Sequence, residues 1–235
     1  MCADGNKAAP AALADEYYIH KNGKDFNLKL ATAQRHLSQQ DKVLKGIIKS
    51  AGDCTIKPHK RYFETLVKSI VSQQLSIKAA ASIFKRFKLL FADGNYFPPP
   101  EEIIAMPDDR LRGVGLSYPK LSYIKDLSAK VLDGTVKIHK MGKLSDEEII
   151  NELVQVKGIG VWSAHMFLIF CLGRLNVFPV GDLGVRNAIV KNYKLRKNPD
   201  EKKMFQIAKK NNWEPYTSVA SWYMWQSLKN EPVTE

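Results

Sequence analysis

Two stretches of the sequence combine residue types that do chemistry with the turns that would aim them. The run Leu153-Val154-Gln155-Val156-Lys157-Gly158-Ile159-Gly160-Val161-Trp162-Ser163-Ala164 sets a tight turn with two glycines between two helical patterns. Gly158 and Gly160 admit positive φ and close backbone approach, and Ile159 can fill the small core between the helices. The amides opening the second helix then face outward as donors to an anion. A phosphate fits such a turn, and so does a plain αα-hairpin with no ligand. Twenty-two residues beyond Gly160, the run Phe178-Pro179-Val180-Gly181-Asp182-Leu183-Gly184-Val185-Arg186 places Asp182 at a helix start. A carboxylate there can cap the helix or act as a fixed negative charge in a reaction; the local pattern leaves both readings open.

Other chemistries find little support. Cys2, Cys54 and Cys171 form no CxxC pair, which argues against a disulfide framework or a cysteine-ligated zinc or iron–sulfur site and points to a reducing compartment. His20, His36, His59, His139 and His165 are scattered, and no two stand at an i, i+4 spacing, so no catalytic metal is expected.

The elements that must hold Asp182 and the hairpin are helices. Apolar residues recur at helical spacing almost throughout, which predicts an all-α protein with helices over roughly Leu28 to Ser50, Arg61 to Gln73, Ile77 to Phe91, Pro100 to Met106, Lys120 to Leu132, Ser145 to Val156, Val161 to Leu172, Leu183 to Tyr193 and Ser218 to Lys229. Ser145 with Glu148 reads as a capping box, and Pro100 before Glu101 and Glu102 suits a first turn. Asp53 to Pro58 and Gly134 to Ile138 are short extended candidates, too short to found a sheet. Residues 1–27 read as a flexible N-terminal leader without a secretory pattern, and 28–235 as the helical domain, with the hairpin at about 145–172. The apolar run Val161 to Leu172 is far shorter than the roughly 20 residues of a membrane span and reads as a buried helix.

The chain of 235 residues carries 36 Lys plus Arg against 24 Asp plus Glu, a formal net charge of +12. That excess favours a polyanionic partner through phosphate contacts and counterion release, although a solvated basic surface explains it equally well.

The hairpin together with the Gly/Pro-rich loop and Asp182 resembles the signature of helix-hairpin-helix DNA glycosylases in the endonuclease III superfamily, most closely the 3-methyladenine DNA glycosylase II branch. Three further segments are similar to that branch: Ser69 to Ala80, with Gln73-Gln74; Leu111 to Lys120; and the aromatic run Trp213 to Trp225. The resemblance extends from about Ala31 to Leu228, in order. Two positions depart from the pattern. Thr217 stands where Arg is usual, and Val161-Trp162-Ser163 where Pro or Arg, then Trp-Thr, is commoner.

The resemblance implies two helical subdomains flanking a cleft and a monofunctional enzyme of base excision repair, which flips alkylated purines out of duplex DNA and hydrolyses their N-glycosidic bond. It casts Asp182 as the catalytic carboxylate and Trp162, Tyr216 and Met166 as the base pocket, with an aromatic wall suited to a cationic purine. Gln74 and Leu75 become the plug that fills the gap left by the flipped base. Lys157, Gly158, Ile159 and Gly160 become the phosphate-binding hairpin, and the backbone carbonyls of Val154, Val156 and Ile159 the holders of a structural sodium or potassium ion. Lys120 and Arg186 are further candidates for phosphate contact. Lyase relatives carry a lysine where Trp162 stands, so strand cleavage is not expected. The partner implied is damaged double-stranded DNA, bound by a monomer, with no membrane and no required cofactor; the location would be the nucleus in a eukaryote and otherwise the cytoplasm. Two alternatives share the fold: a catalytically silent damaged-DNA binder, and a glycosylase for another lesion.

Overall fold

The computed structural model describes residues 11–91 and 96–229, with side chains from residue 25 onward. Among them are twelve α-helices: α1 (Ala11–Gln40), α2 (Lys42–Ala51), α3 (Tyr62–Ser72), α4 (Ile77–Leu89), α5 (Pro100–Ala105), α6 (Asp108–Gly113), α7 (Tyr118–Leu132), α8 (Asp146–Leu153), α9 (Val161–Met166), α10 (Leu183–Asn192), α11 (Glu201–Lys210) and α12 (Thr217–Lys229). No strand occurs among the described residues, so the all-α expectation holds and the two extended candidates are loop and turn. No described helix is long and apolar enough to cross a membrane.

The chain divides into two compact units. The first joins the described residues up to Lys57 to those from Val180 onward; the second is Pro58–Pro179.

In the first unit α12 packs against α1, α2 and α10 and buries Val219, Ala220, Tyr223 and Met224. Each fully buried large apolar side chain contributes about 1.5–3 kcal/mol. The helix expected over Leu28 to Ser50 is in fact two. Asp41, buried despite its charge, leaves the helical conformation and caps α2 through Oδ1, which accepts from the Val43 and Leu44 amides at 2.8 and 3.2 Å. Its Oδ2 accepts from Trp213 Nε1 at 2.8 Å and from the Tyr193 hydroxyl. The charge is thus dispersed over four donors, which makes its burial tolerable. Residues 11–27, expected as leader, belong to α1, while residues 1–10 lie outside the described residues.

In the second unit α7 is the central strut, packing against α3, α5 and α6. Leu121, Ile124 and Leu127 point inward from it. Phe63, Phe84, Phe87, Phe91 and Phe97 form an aromatic cluster beside α4. The capping box is present: Ser145 Oγ accepts from the Glu148 amide and Glu148 Oε2 from the Ser145 amide, at 3.2 and 2.7 Å. The expected helix over Val161 to Leu172 changes form at Phe167. Residues Phe167–Cys171 are π-helical, and the Leu172 amide reaches back to the Phe167 carbonyl at 3.1 Å. Such widened turns recur at functional sites because they re-aim the side chains on either side. Burial pushes the thiols of Cys54 and Cys171 up to about 11, so both are packing groups rather than nucleophiles.

Candidate active site

Asp182 stands at the N-cap of α10 and is 7 % exposed. Its Oδ1 accepts from the Val185 amide at 2.8 Å and from Trp225 Nε1 at 2.8 Å. It caps the helix, and the same two bonds lock the carboxylate in a single rotamer, which is what preorganised electrostatic catalysis requires. The loop before it is braced as well. Arg186, one turn into α10, donates from Nη2 to the Val180 carbonyl at 3.0 Å, so that guanidinium holds protein backbone.

Trp225 was legible only as part of an aromatic helix; its indole bond to Asp182 depends on how α12 packs against α10. Gly184 makes that bond possible. A Cβ there would sit 3.0 Å from Trp225 Cδ1 and 3.1 Å from Asp182 Oδ1. Gly184→Ala is expected to push the indole off the carboxylate and lower any activity that depends on Asp182 by about tenfold, with a melting temperature lowered by only a few degrees. Activity equal to wild type would show that Trp225 does not position Asp182.

Tyr216, half-buried, lies just before α12 in this unit and meets His36 edge-to-face at 5.2 Å between ring centroids. Thr217, where the resembling branch usually has Arg, is buried as the first residue of α12.

The remaining candidates lie in the second unit. Trp162 and Met166 are four residues apart on α9 and so share a face; Trp162 is 50 % exposed and Met166 half-buried. The hairpin turn runs from Val154 to Gly160, with Ile159 and Val156 buried beneath it and Lys157 exposed above. Its two glycines are not equivalent. Gly158 has φ +77°, and a Cβ on it would fall 2.1 Å from Cδ2 of Tyr123; Gly160 has φ −104° and open space around its Cα. The expectation of positive φ and close approach therefore holds for Gly158 alone. The Lys157 amide does not face outward: it donates to Asp126 Oδ2 at 2.8 Å. Burial raises the Asp126 carboxyl, but bonds from Lys130 and from the Lys157 amide outweigh it and hold the group below the usual carboxylate range.

Gln74 and Leu75 occupy the tip between α3 and α4. Gln74 adopts φ 55°, in the left-handed region that non-glycine residues seldom enter, and Leu75 is 38 % exposed. Ile77 beside them is 90 % exposed, an apolar residue on this tip that the periodicity assigned only to a helix start. Lys120, a phosphate candidate by sequence, donates instead to the carbonyls of Val71 and Gln73, at 2.8 and 2.6 Å. The carbonyl end of α3 carries the negative pole of the helix and lacks intrahelical donors, so an ammonium is well placed there.

Residues 67–215 match the family model described as HhH-GPD superfamily base excision DNA repair protein. The chain belongs to that superfamily. Among HhH-GPD proteins, it is 36 % identical over 212 residues to DNA-3-methyladenine glycosylase 1 of Schizosaccharomyces pombe, covering 88 % of this chain and 91 % of that one. The solved structure of a 3-methyladenine DNA glycosylase from the same organism, in complex with abasic DNA, superimposes with a TM-score of 0.74 at 35 % identity, covering 84 % of this chain and 97 % of that one. A DNA-3-methyladenine glycosidase from Bacillus halodurans does so with a TM-score of 0.74 at 33 % identity, covering 84 % and 89 %. The matched span of the HhH-GPD family takes in the Gln74–Leu75 tip, the hairpin and Asp182 together.

Proposed function

We propose that the chain binds duplex DNA and excises alkylated purines of the 3-methyladenine kind by hydrolysing the N-glycosidic bond, without cutting the strand. The observation that carries this reading is Asp182, a buried carboxylate whose Oδ1 is fixed by the Val185 amide and the Trp225 indole. The relatives named DNA-3-methyladenine glycosylase support the substrate class.

The chemistry is economical. An N3- or N7-alkylated purine carries a positive charge, so when the bond from C1′ to the base nitrogen breaks, its electron pair neutralises the departing base. The deoxyribose becomes oxocarbenium-like, and the fixed negative charge of Asp182 stabilises it and orients the water that adds to C1′ and gives up a proton. Trp162, half exposed on α9, offers an electron-rich face on which a cationic base stacks, with Met166 on the same face of that helix. Trp162 also takes the position at which lyase relatives bear a lysine, so no amine is supplied there for Schiff-base attack on the sugar.

At the hairpin, the α9 amides and the exposed Lys157 ammonium hold a phosphate. The carbonyls of Val154, Val156 and Ile159 are hard oxygen donors in one turn, suited to a sodium or potassium ion; Val156 O already accepts from the Ile159 amide at 3.0 Å and keeps a second lone pair for a cation. Such an ion would add positive charge beside the phosphate. Gln74 and Leu75 fill the gap left by the flipped base, and the protein acts as a monomer.

The test is base release from randomly methylated duplex DNA, with strand breaks scored before and after alkali. Release of methylated purines with breaks appearing only after alkali is expected. DNA binding without release would overturn the alkylpurine assignment, and breaks before alkali would overturn the monofunctional one.

A further inference from the structure

Three side chains project from one face of α7 at positions 120, 123 and 126, and each ends on the plug tip or the hairpin. Lys120 fastens the Val71 and Gln73 carbonyls, the Tyr123 ring lies where a Cβ on Gly158 would fall, and Asp126 holds the Lys157 amide. Gln73 closes the triangle. Its side-chain amide donates to the Gly158 carbonyl at 2.7 Å across a sequence separation of 85 residues.

Gln73 is therefore pinned at both ends, its own carbonyl by Lys120 and its side chain by the hairpin, and it immediately precedes Gln74. A left-handed Gln74 persists only while its surroundings over-determine it; the Leu75 amide donates back across it to the Ser72 carbonyl at 3.3 Å, and the two pins on Gln73 add to that restraint. Gln73 thus links the Gly158 carbonyl directly to the turn that carries Leu75.

We infer that Gln73, with Lys120, is a positioning residue that couples seating of the hairpin on DNA to insertion of the Gln74–Leu75 plug. This rests on the proposed roles of hairpin and plug, and it adds that they act as one unit rather than as two independent grips. A set of separate contacts would give multiplicative effects when two are removed; a coupled pair would not.

The experiment uses the full chain and a duplex carrying a tetrahydrofuran abasic-site analogue opposite 2-aminopurine, whose fluorescence reports filling of the gap. Gln73→Ala is expected to keep affinity for undamaged duplex within about twofold and to slow the fluorescence change by about five- to tenfold, the loss of one hydrogen bond. Leu75→Ala should abolish most of the change, and the double variant should be no slower than Leu75→Ala alone. Lys120→Met should reproduce Gln73→Ala, and Lys120→Arg should restore part of the rate, which a merely structural contact would not predict; thermal melts confirm that each variant folds. Multiplicative effects of Gln73→Ala and Leu75→Ala, a Gln73→Ala rate equal to wild type, or a wild type with no fluorescence change would each overturn the coupling. Because this duplex offers no base to excise, failure of methylpurine release would strike the proposed reaction and leave this result intact.

Discussion

Asp182→Asn is expected to slow single-turnover release of methylated purines by about a thousandfold or more, and to move the melting temperature by less than about 2 °C. The two halves of this expectation separate the cap from the proposed catalytic charge. Asparagine caps helices as well as aspartate does, and its Oδ1 still accepts from the Val185 amide and the Trp225 indole, so α10 stays capped. What is lost is the negative charge, and with it the stabilisation of the positively charged sugar. Asp182→Ala should be equally inactive but also less stable by about 1 kcal/mol, because the cap goes too. The measurement is release of methylpurine bases under enzyme excess, paired with a circular-dichroism melt. If the asparagine variant kept more than about a tenth of the wild-type rate, far above the loss seen when a preorganised charge is removed, Asp182 would be a cap alone.

Gly158→Ala should be the most damaging single methyl group that can be added to the hairpin. It forces a side chain into the left-handed region at φ +77°, and it drives that Cβ to 2.1 Å from the Tyr123 ring. Neither partner can yield cheaply, because Tyr123 is carried by the central helix α7, whose inward residues Ile124 and Leu127 are fully buried. A stability loss of about 3 kcal/mol follows from backbone strain and overpacking together. Affinity for undamaged duplex should fall by at least about tenfold as the turn opens and its amides lose their common aim. Gly160→Ala is the control: its backbone is ordinary and nothing lies within 4 Å of the added carbon, so stability should change little. Denaturant melts and fluorescence anisotropy on both variants check the contrast. Equal tolerance at the two positions would show that Tyr123 does not pack against the turn as described.

That contrast marks the boundary between local and tertiary information. Periodicity sufficed for an all-α chain, the Ser145–Glu148 box sufficed for the start of α8, and the Gly-Ile-Gly turn followed twenty-two residues later by an aspartate sufficed for the family, because each is written within a short window of the chain. A cap such as Ser145 acts on amides three residues away, so its signal survives whatever surrounds it. Of two misplaced boundaries, one has a tertiary cause and the other a local ambiguity. The break at Asp41 is sealed by Trp213 and Tyr193, which are distant in sequence and arrive with α10, α11 and the loop before α12. The π-helical turn after Met166 lies in a run whose apolar pattern is indistinguishable from that of an α-helix.

The candidate site divides in the same way. Asp182, Trp162, the Gln74–Leu75 pair and the hairpin were visible as residue types at particular spacings. Their restraints were not: Trp225 on Asp182, Tyr123 against Gly158, Asp126 on the Lys157 amide, and Lys120 and Gln73 tying the α3–α4 tip to α7 and the hairpin. Lys120 and Arg186 show why. By sequence each is a cation free to meet a phosphate, yet each donates to a backbone carbonyl of its own protein. The sequence alone determined which chemical groups this protein brings to DNA, because a group's charge and donor capacity belong to the residue itself. Only the tertiary structure decided which of those groups are held still and which are already engaged, because a hydrogen bond or a steric contact depends on where a distant part of the chain comes to lie.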